Sequence, residues 1–161
     1  MKGDTAFFDT NVLIYAFAKD DPRAKIAETL LAGGGVVGVQ ILNEFVAVAA
    51  RQLAMPWADI LEALSALRDL CPSPVPLTVK THDAALRISG RYGYHIFDSL
   101  VIAAALEARC NTLYSEDMSD SQTIDGLTIR NPFLVRPDHS QVKLANRKPA
   151  RSNVRQSSRK S

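Results

Sequence analysis

Short apolar runs alternate with longer stretches of helical periodicity along this chain, and that alternation predicts the fold class. Ala6-Phe7-Phe8 is too short for a helix and leads straight into Asp9, which predicts a first, buried strand. Asp21-Pro22 is a helix start, with Asp as N-cap and Pro at the first helical position. That helix is expected to end before Gly33-Gly34-Gly35, a helix-to-strand turn that no Lys-Ser/Thr pair follows, so a phosphate cradle is not expected there. Val36-Val37-Gly38-Val39 predicts a second strand, and helices are expected over about 40–52 and 56–70. Cys71-Pro72-Ser73-Pro74 breaks the second of these.

Val75-Pro76-Leu77 predicts a weaker strand whose proline suits an edge or a strand start. A helix from about Val79 to Ser89 should stop near Gly90 or Gly93, and Phe97 to Arg109 is the most apolar helical stretch of the chain. Thr112-Leu113-Tyr114 and Leu127-Thr128-Ile129 predict the last two strands. Strands alternating with helices imply an α/β protein with a mainly parallel sheet covered on both faces. Ligands of such sheets bind beyond the carboxyl ends of the strands.

After Asn131-Pro132-Phe133 the apolar pattern fades, which divides the chain into a domain over 1–137 and a tail over 138–161 expected to be disordered. Charge supports the division. The net charge is +2, but residues 138–161 hold seven Lys/Arg against one Asp, so the rest of the chain is mildly acidic. A basic tail suits RNA tethering through counterion release, and equally a merely solvated terminus, since no aromatic residue is interleaved for base stacking. The remaining composition excludes little: 161 residues, 47% hydrophobic and 22% charged, describe an ordinary globular domain. Leu100 to Leu106, the longest strongly apolar run, is far too short to cross a bilayer. Asp4 and Asp9 bracket the first apolar stretch, unlike a signal peptide, and Cys71 and Cys110 lack paired spacing. Both point to a cytoplasmic protein with reduced, buried thiols.

Four acids stand out because apolar residues embed or flank each of them: Asp9, Glu44, Asp98 and Asp117. Asp9 and Asp117 follow predicted strands, where Asp often caps the next helix, and Asp98 opens a helix, where negative charge is favourable. Glu44 resists so plain an account. Its neighbours one turn away are Gln40, Ile41, Ala47 and Val48, and no Lys or Arg stands there to neutralise it. Asp98 likewise has Val101 and Ile102 one turn on. Carboxylates brought together on an apolar background repel, and Mg²⁺ or Mn²⁺ would relieve them, since hard cations prefer oxygen ligands. Asn11 and Ser115 add polar atoms beside Asp9 and Asp117. Zinc is disfavoured because His82, His95 and His139 show no paired ligand spacing. An acidic metal centre suits phosphodiester hydrolysis.

Phe8-Asp9-Thr10-Asn11-Val12-Leu13-Ile14-Tyr15-Ala16, Asn43-Glu44-Phe45, Phe97-Asp98-Ser99-Leu100-Val101-Ile102-Ala103-Ala104-Ala105, Leu113-Tyr114-Ser115-Glu116-Asp117-Met118 and Asn131-Pro132-Phe133 together resemble PIN-domain proteins, above all the bacterial VapC-type toxins. Five motifs in order are specific where one would be weak. The resemblance implies a three-layer α/β/α sandwich, a homodimer, and a Mg²⁺- or Mn²⁺-dependent endoribonuclease held inactive by a cognate antitoxin protein. Carried over by position, the metal-binding and catalytic carboxylates would be Asp9, Glu44, Asp98 and Asp117, supported by Asn11 and Ser115. The chain departs from relatives that carry an Asp-Gly pair after the last acid, having Asp120-Ser121 instead. Glu116 and Asp120, flanking Asp117, remain alternative fourth ligands. Two other functions fit the same residues: a catalytically silent RNA- or protein-binding module, and a small-molecule phosphatase using Asp9 as nucleophile. Asn11 speaks against the phosphatase, whose common pattern has a second Asp there.

Overall fold

The computed structural model describes residues 3–134; the expected boundary at 137 and the basic tail over 138–161 lie outside them. In chain order the described residues form β1 (Ala6–Phe8), α1 (Thr10–Ala16), α2 (Ala24–Ala32), α3 (Val39–Arg51), α4 (Trp57–Leu70), α5 (Val79–Tyr92), α6 (Ile96–Glu107), β2 (Thr112–Tyr114), β3 (Thr123–Ile124) and β4 (Leu127–Arg130). The sheet runs β1-β2-β4-β3, parallel except for β3, which pairs antiparallel with β4. This is the expected α/β architecture with a mainly parallel sheet.

Register explains the core. Phe7 pairs with Leu113 and Leu113 with Ile129, and all three are fully buried, so one row of large side chains crosses the three central strands. Short strands buried on both sides suit parallel sheets, which helices must cover. Of those helices, α5 packs along α6, while α1 packs against α2 and α3, and α4 against α3 and α2. Cys71 and Cys110 are buried free thiols, as expected, and burial raises each to about 11.

The expected strand at Val36-Val37-Gly38-Val39 shrinks to two bridges. Val36 pairs with Phe7 and Gly38 with Val75, after which Val39 already belongs to α3. The hydrogen bonds are nonetheless sheet-like, with Val36 N to Ala6 O at 2.8 Å and Val75 N to Val37 O at 2.9 Å. The weak strand at Val75-Pro76-Leu77 is likewise one bridging residue. Helix α2 starts two residues later than Asp21-Pro22 suggests. The Asp21 side chain accepts from Arg23 N at 2.9 Å and so closes a turn before the helix, which begins at Ala24. Two elements have no sequence-derived extent: α1, directly behind Asp9, and β3. The second turns into β4 through Asp125-Gly126, both at positive φ (48° and 86°), a two-residue hairpin turn.

The turn before the first bridge depends on glycine for two reasons. Gly34 holds φ at +74°, and a Cβ on Gly35 would stand 2.6 Å from both Ala6 O and Phe8 Cε2. Since Phe8 immediately precedes Asp9, overpacking here would press directly on the strand that carries the acid. Gly35→Ala is expected to lower stability by about 1–3 kcal/mol, read as the urea midpoint at unchanged slope; an unshifted midpoint would mean that β1 has room to move.

Candidate active site

The parallel ladder continues one residue past its strands and delivers the first two site residues side by side. Asp9 N donates to Tyr114 O at 3.0 Å and Ser115 N donates to Arg130 O at 3.0 Å. This places Asp9 beside Ser115 at the carboxyl ends of β1 and β2, where ligands of parallel sheets are expected. Asp9 is the N-cap of α1, its Oδ1 accepting from Thr10 N at 2.7 Å, while its Oδ2 accepts from the fully buried Ser115 hydroxyl at 2.7 Å. Ser115 Oγ in turn accepts from Asp117 N at 3.3 Å.

Glu44, half-buried on α3, reaches the same place through Thr10, whose hydroxyl donates to Glu44 Oε2 at 2.6 Å. Asp98 lies in the first turn of α6 and is half-buried. Asp117, in the loop after β2, is exposed and takes a hydrogen bond from Asn11 Nδ2 at 3.2 Å. Asn11 Oδ1 accepts from Glu116 N at 3.3 Å, so one side chain ties α1 to two consecutive residues of that loop.

Electrostatics show that these acids share a space. Burial pushes the Asp9 carboxyl up to about 6; the hydrogen bonds from Ser115 and Thr10 oppose this, and the charges of Asp117 and Glu44 add to it. Asp98 is also raised, first by burial, then by Asp117 and Glu44, against the lowering influence of His95. Asp117 and Glu44 are therefore common electrostatic neighbours of Asp9 and Asp98. As placed, no group of three His, Cys, Asp or Glu among the described residues is drawn tightly enough to hold a metal ion. The donor set is all oxygen and over-negative, and in kind it fits a hard divalent cation.

The two alternative ligands are held elsewhere. Glu116 takes the Tyr15 hydroxyl and Arg23 Nη1, the latter at 2.9 Å. Asp120 Oδ1 accepts from Asn131 N at 2.8 Å and Oδ2 from the Ser121 hydroxyl at 3.2 Å, so it closes the loop towards the end of β4. The Asp120-Ser121 departure thus has a structural use, with Ser121 at φ +68°. Sequence reasoning missed Thr10, Tyr15 and Arg23. The first two carry a legible signal, since Thr10 follows the acid and Tyr15 lies one turn after Asn11. Arg23 carries none, because its partner Glu116 is distant in the chain.

An acid-lined mouth at the carboxyl ends of a mainly parallel sheet between helices is the arrangement of the PIN domain. The family profile of that description matches residues 6–119, most of the chain, and the chain belongs to the PIN-domain family. No curated protein matches the sequence. Three solved structures share the fold at low identity. VapC20 of Mycobacterium tuberculosis, a toxin that cleaves the sarcin–ricin loop, is 17% identical with a TM-score of 0.57, covering 70% of this chain and 90% of that one. A toxin–antitoxin complex from Klebsiella pneumoniae is 20% identical at 0.61, covering 81% and 100%. VapBC2 of Rickettsia felis, bound to a DNA fragment from its promoter, is 16% identical at 0.56, covering 79% and 98%.

The raised Asp9 carboxyl gives stability a definite dependence on pH. Its folded value of about 6 lies above the ordinary aspartate value of 3.8, so the folded state holds the extra proton between these values. Stability should therefore fall as pH rises from about 4 through about 6 and level off above, by an amount on the order of 1–3 kcal/mol. Asp9→Asn should flatten that segment of a metal-free melting profile; an equal slope in both proteins would show that Asp9 does not titrate there.

Proposed function

We propose that this protein is a metal-dependent endoribonuclease and the toxin of a type II toxin–antitoxin pair. The observation that carries the reading is the convergence of Asp9, Glu44, Asp98 and Asp117, from four separate segments, into one electrostatically coupled mouth at the carboxyl ends of the strands. These four would hold Mg²⁺ or Mn²⁺. When bound, the ion supplies positive charge and Lewis acidity toward a phosphodiester and lets an acidic mouth accept a polyanion.

The chain's own residues do the preparation. Ser115 and Thr10 N fix both oxygens of the Asp9 carboxylate, so its free lone pairs keep one direction. Thr10 holds one oxygen of Glu44, and Asn11 one oxygen of Asp117. Fixed donors need little reordering when an ion and substrate arrive, which is where preorganisation helps. Among the described residues no imidazole hydrogen-bonds to any of the four, and we assign the proton acceptor to one of these carboxylates.

The partners follow from the same reading. An antitoxin protein would hold the toxin inactive, in keeping with the toxin–antitoxin complexes among the structural neighbours. A second copy would cover α6, which is apolar nearly all round yet leaves Phe97 55% exposed, with Leu77 at 51% and Val79 at 77% on the adjoining segment. The protein would act in the cytoplasm, in keeping with its free buried thiols. Among the described residues no helix is long and apolar enough to cross a membrane.

With single-stranded RNA and Mn²⁺, Asp9→Asn and Asp98→Asn should each lower the cleavage rate by roughly 10²-fold or more while the far-ultraviolet dichroism stays native. Full cleavage by either folded variant would overturn the assignment. For the partner copy, Phe97→Asp should convert a dimer to a monomer in sedimentation equilibrium, whereas an unchanged mass would place the interface elsewhere.

A further inference from the structure

The residue beside Asp117 poses a problem that the site's chemistry leaves open. Glu116 adds one more carboxylate to the loop that carries Asp117, yet its side chain is taken up by Tyr15 and Arg23, one turn further along the face of α1 that carries Asn11. Tyr15 donates its hydroxyl to Glu116 Oε2, and Arg23 Nη1 donates to Glu116 Oε1 at 2.9 Å and to the Tyr15 oxygen at 2.8 Å. The guanidinium is itself locked. Its Nε and Nη2 form a fork on Asp21 at 2.9 and 2.7 Å, and its carbon lies 3.8 Å from the centre of the Tyr15 ring. The opposite constraint on Tyr15 comes from Phe133, edge-on at 5.0 Å.

We propose that Arg23 is a positioning residue for the proposed nuclease site: by clamping Glu116 it fixes the loop that presents Asp117, and it removes a fifth negative charge from the mouth. The mechanical path is short. Glu116 is held by its side chain at Tyr15 and by its backbone N–H at Asn11, two residues one turn apart on α1. The same Asn11 donates to Asp117 Oδ2. With Glu116 pinned at both points, the direction of the next residue is set, and Asn11 finds Asp117 within 3.2 Å. Without Arg23, Glu116 keeps one neutral donor, and its free charge would swing toward the solvent mouth where Asp117 already lies exposed.

Arginine is required by its shape as well as its charge. The fork on Asp21, the contact with Glu116 and the stack on Tyr15 use three different parts of one planar group, which a lysine ammonium cannot reproduce. Asp21 matters in turn because it also takes Arg23 N at 2.9 Å, which anchors the cation to the turn before α2 rather than leaving it on a free side chain.

The inference rests on the nuclease reading only for its consequence, and the experiment separates the two. Amide hydrogen exchange on the metal-free full chain should show Glu116 and Asp117 N–H exchanging about ten-fold faster in Arg23→Met, with Phe8 and Leu113 unchanged. Glu116→Gln should do the same, the double variant no more than either single one, and Arg23→Lys should fall between Met and native. Calorimetric titration with Mn²⁺ should then show affinity lowered about ten-fold in Arg23→Met, the scale expected of groups that orient a ligand. Native exchange at Glu116 and Asp117 in Arg23→Met would overturn the clamp, and faster exchange with native Mn²⁺ affinity would overturn its role in placing Asp117. Should Arg23→Met fail to fold, Glu116→Gln and Arg23→Lys carry the same comparison. A native chain that cleaves no RNA would sink the nuclease reading alone, since the exchange data still decide the clamp.

Discussion

The hydrogen bond from Asp9 N to Tyr114 O, 3.0 Å long, holds the site together because it belongs to the sheet and to the mouth at once. Parallel ladders fix the height of one strand against the next, so extending the ladder by one residue beyond Phe8 and Tyr114 leaves Asp9 and Ser115 no freedom to separate. The Ser115 hydroxyl then meets Asp9 Oδ2 as a consequence of register rather than by a separate arrangement. A slip of one residue in β1 would exchange the faces on which Phe7 and Phe8 pack and remove the acid from its partner together. Stability of the core and geometry of the mouth are therefore specified by one set of contacts.

That coupling makes the position costly. Asp9 is 6% exposed, and burial alone would favour its neutral form; two hydrogen bonds oppose this incompletely. A residue serving only to cap α1 could do so from the surface, where the carboxylate is solvated. The cap is real, since Oδ1 takes Thr10 N, but it uses one of two oxygens and leaves the other directed along the sheet edge toward Ser115. Capping and a metal-binding role are thus compatible at this residue, and the choice between them posed by the sequence dissolves once both oxygens are followed separately.

What the sequence made legible was what depends on local pattern. The strands at 6–8 and 112–114, the last strand to within one residue, and helices α3 to α6 to within three follow from periodicity and from Pro and Gly punctuation. The hairpin through Asp125-Gly126 was available by the same logic, although the strand before it is only two residues long. Val36 to Val39 was beyond such logic. Its β-branched residues read as a strand, but Gly35 presses it so close to Ala6 and Phe8 that it makes its bridge and turns directly into α3. The four acids were visible from their apolar surroundings. Their supports were visible only where they sit next to an acid in sequence, as Asn11 and Ser115 do. Arg23 was not, because what makes it matter is a contact across 93 residues.

The four acids also differ in a way that suggests a division of labour. Asp9 is buried and fully bonded, Glu44 and Asp98 are half-buried on α3 and α6, and Asp117 is exposed on a loop. Exposure to solvent rises along that series. A site that admits a hydrated cation and then a polyanion, as the proposed function requires, would need both ends of the range. On the proposed nuclease reading, the rigid, buried acid would set where the ion stops, and the solvated one would supply the charge that draws it in. Loop-borne Asp117 is then the weakest point of the arrangement, which gives a physical reason for the contacts that converge on it and its neighbours: Ser115 from the sheet, Asn11 from α1, and Glu116 with its Arg23 and Tyr15 partners.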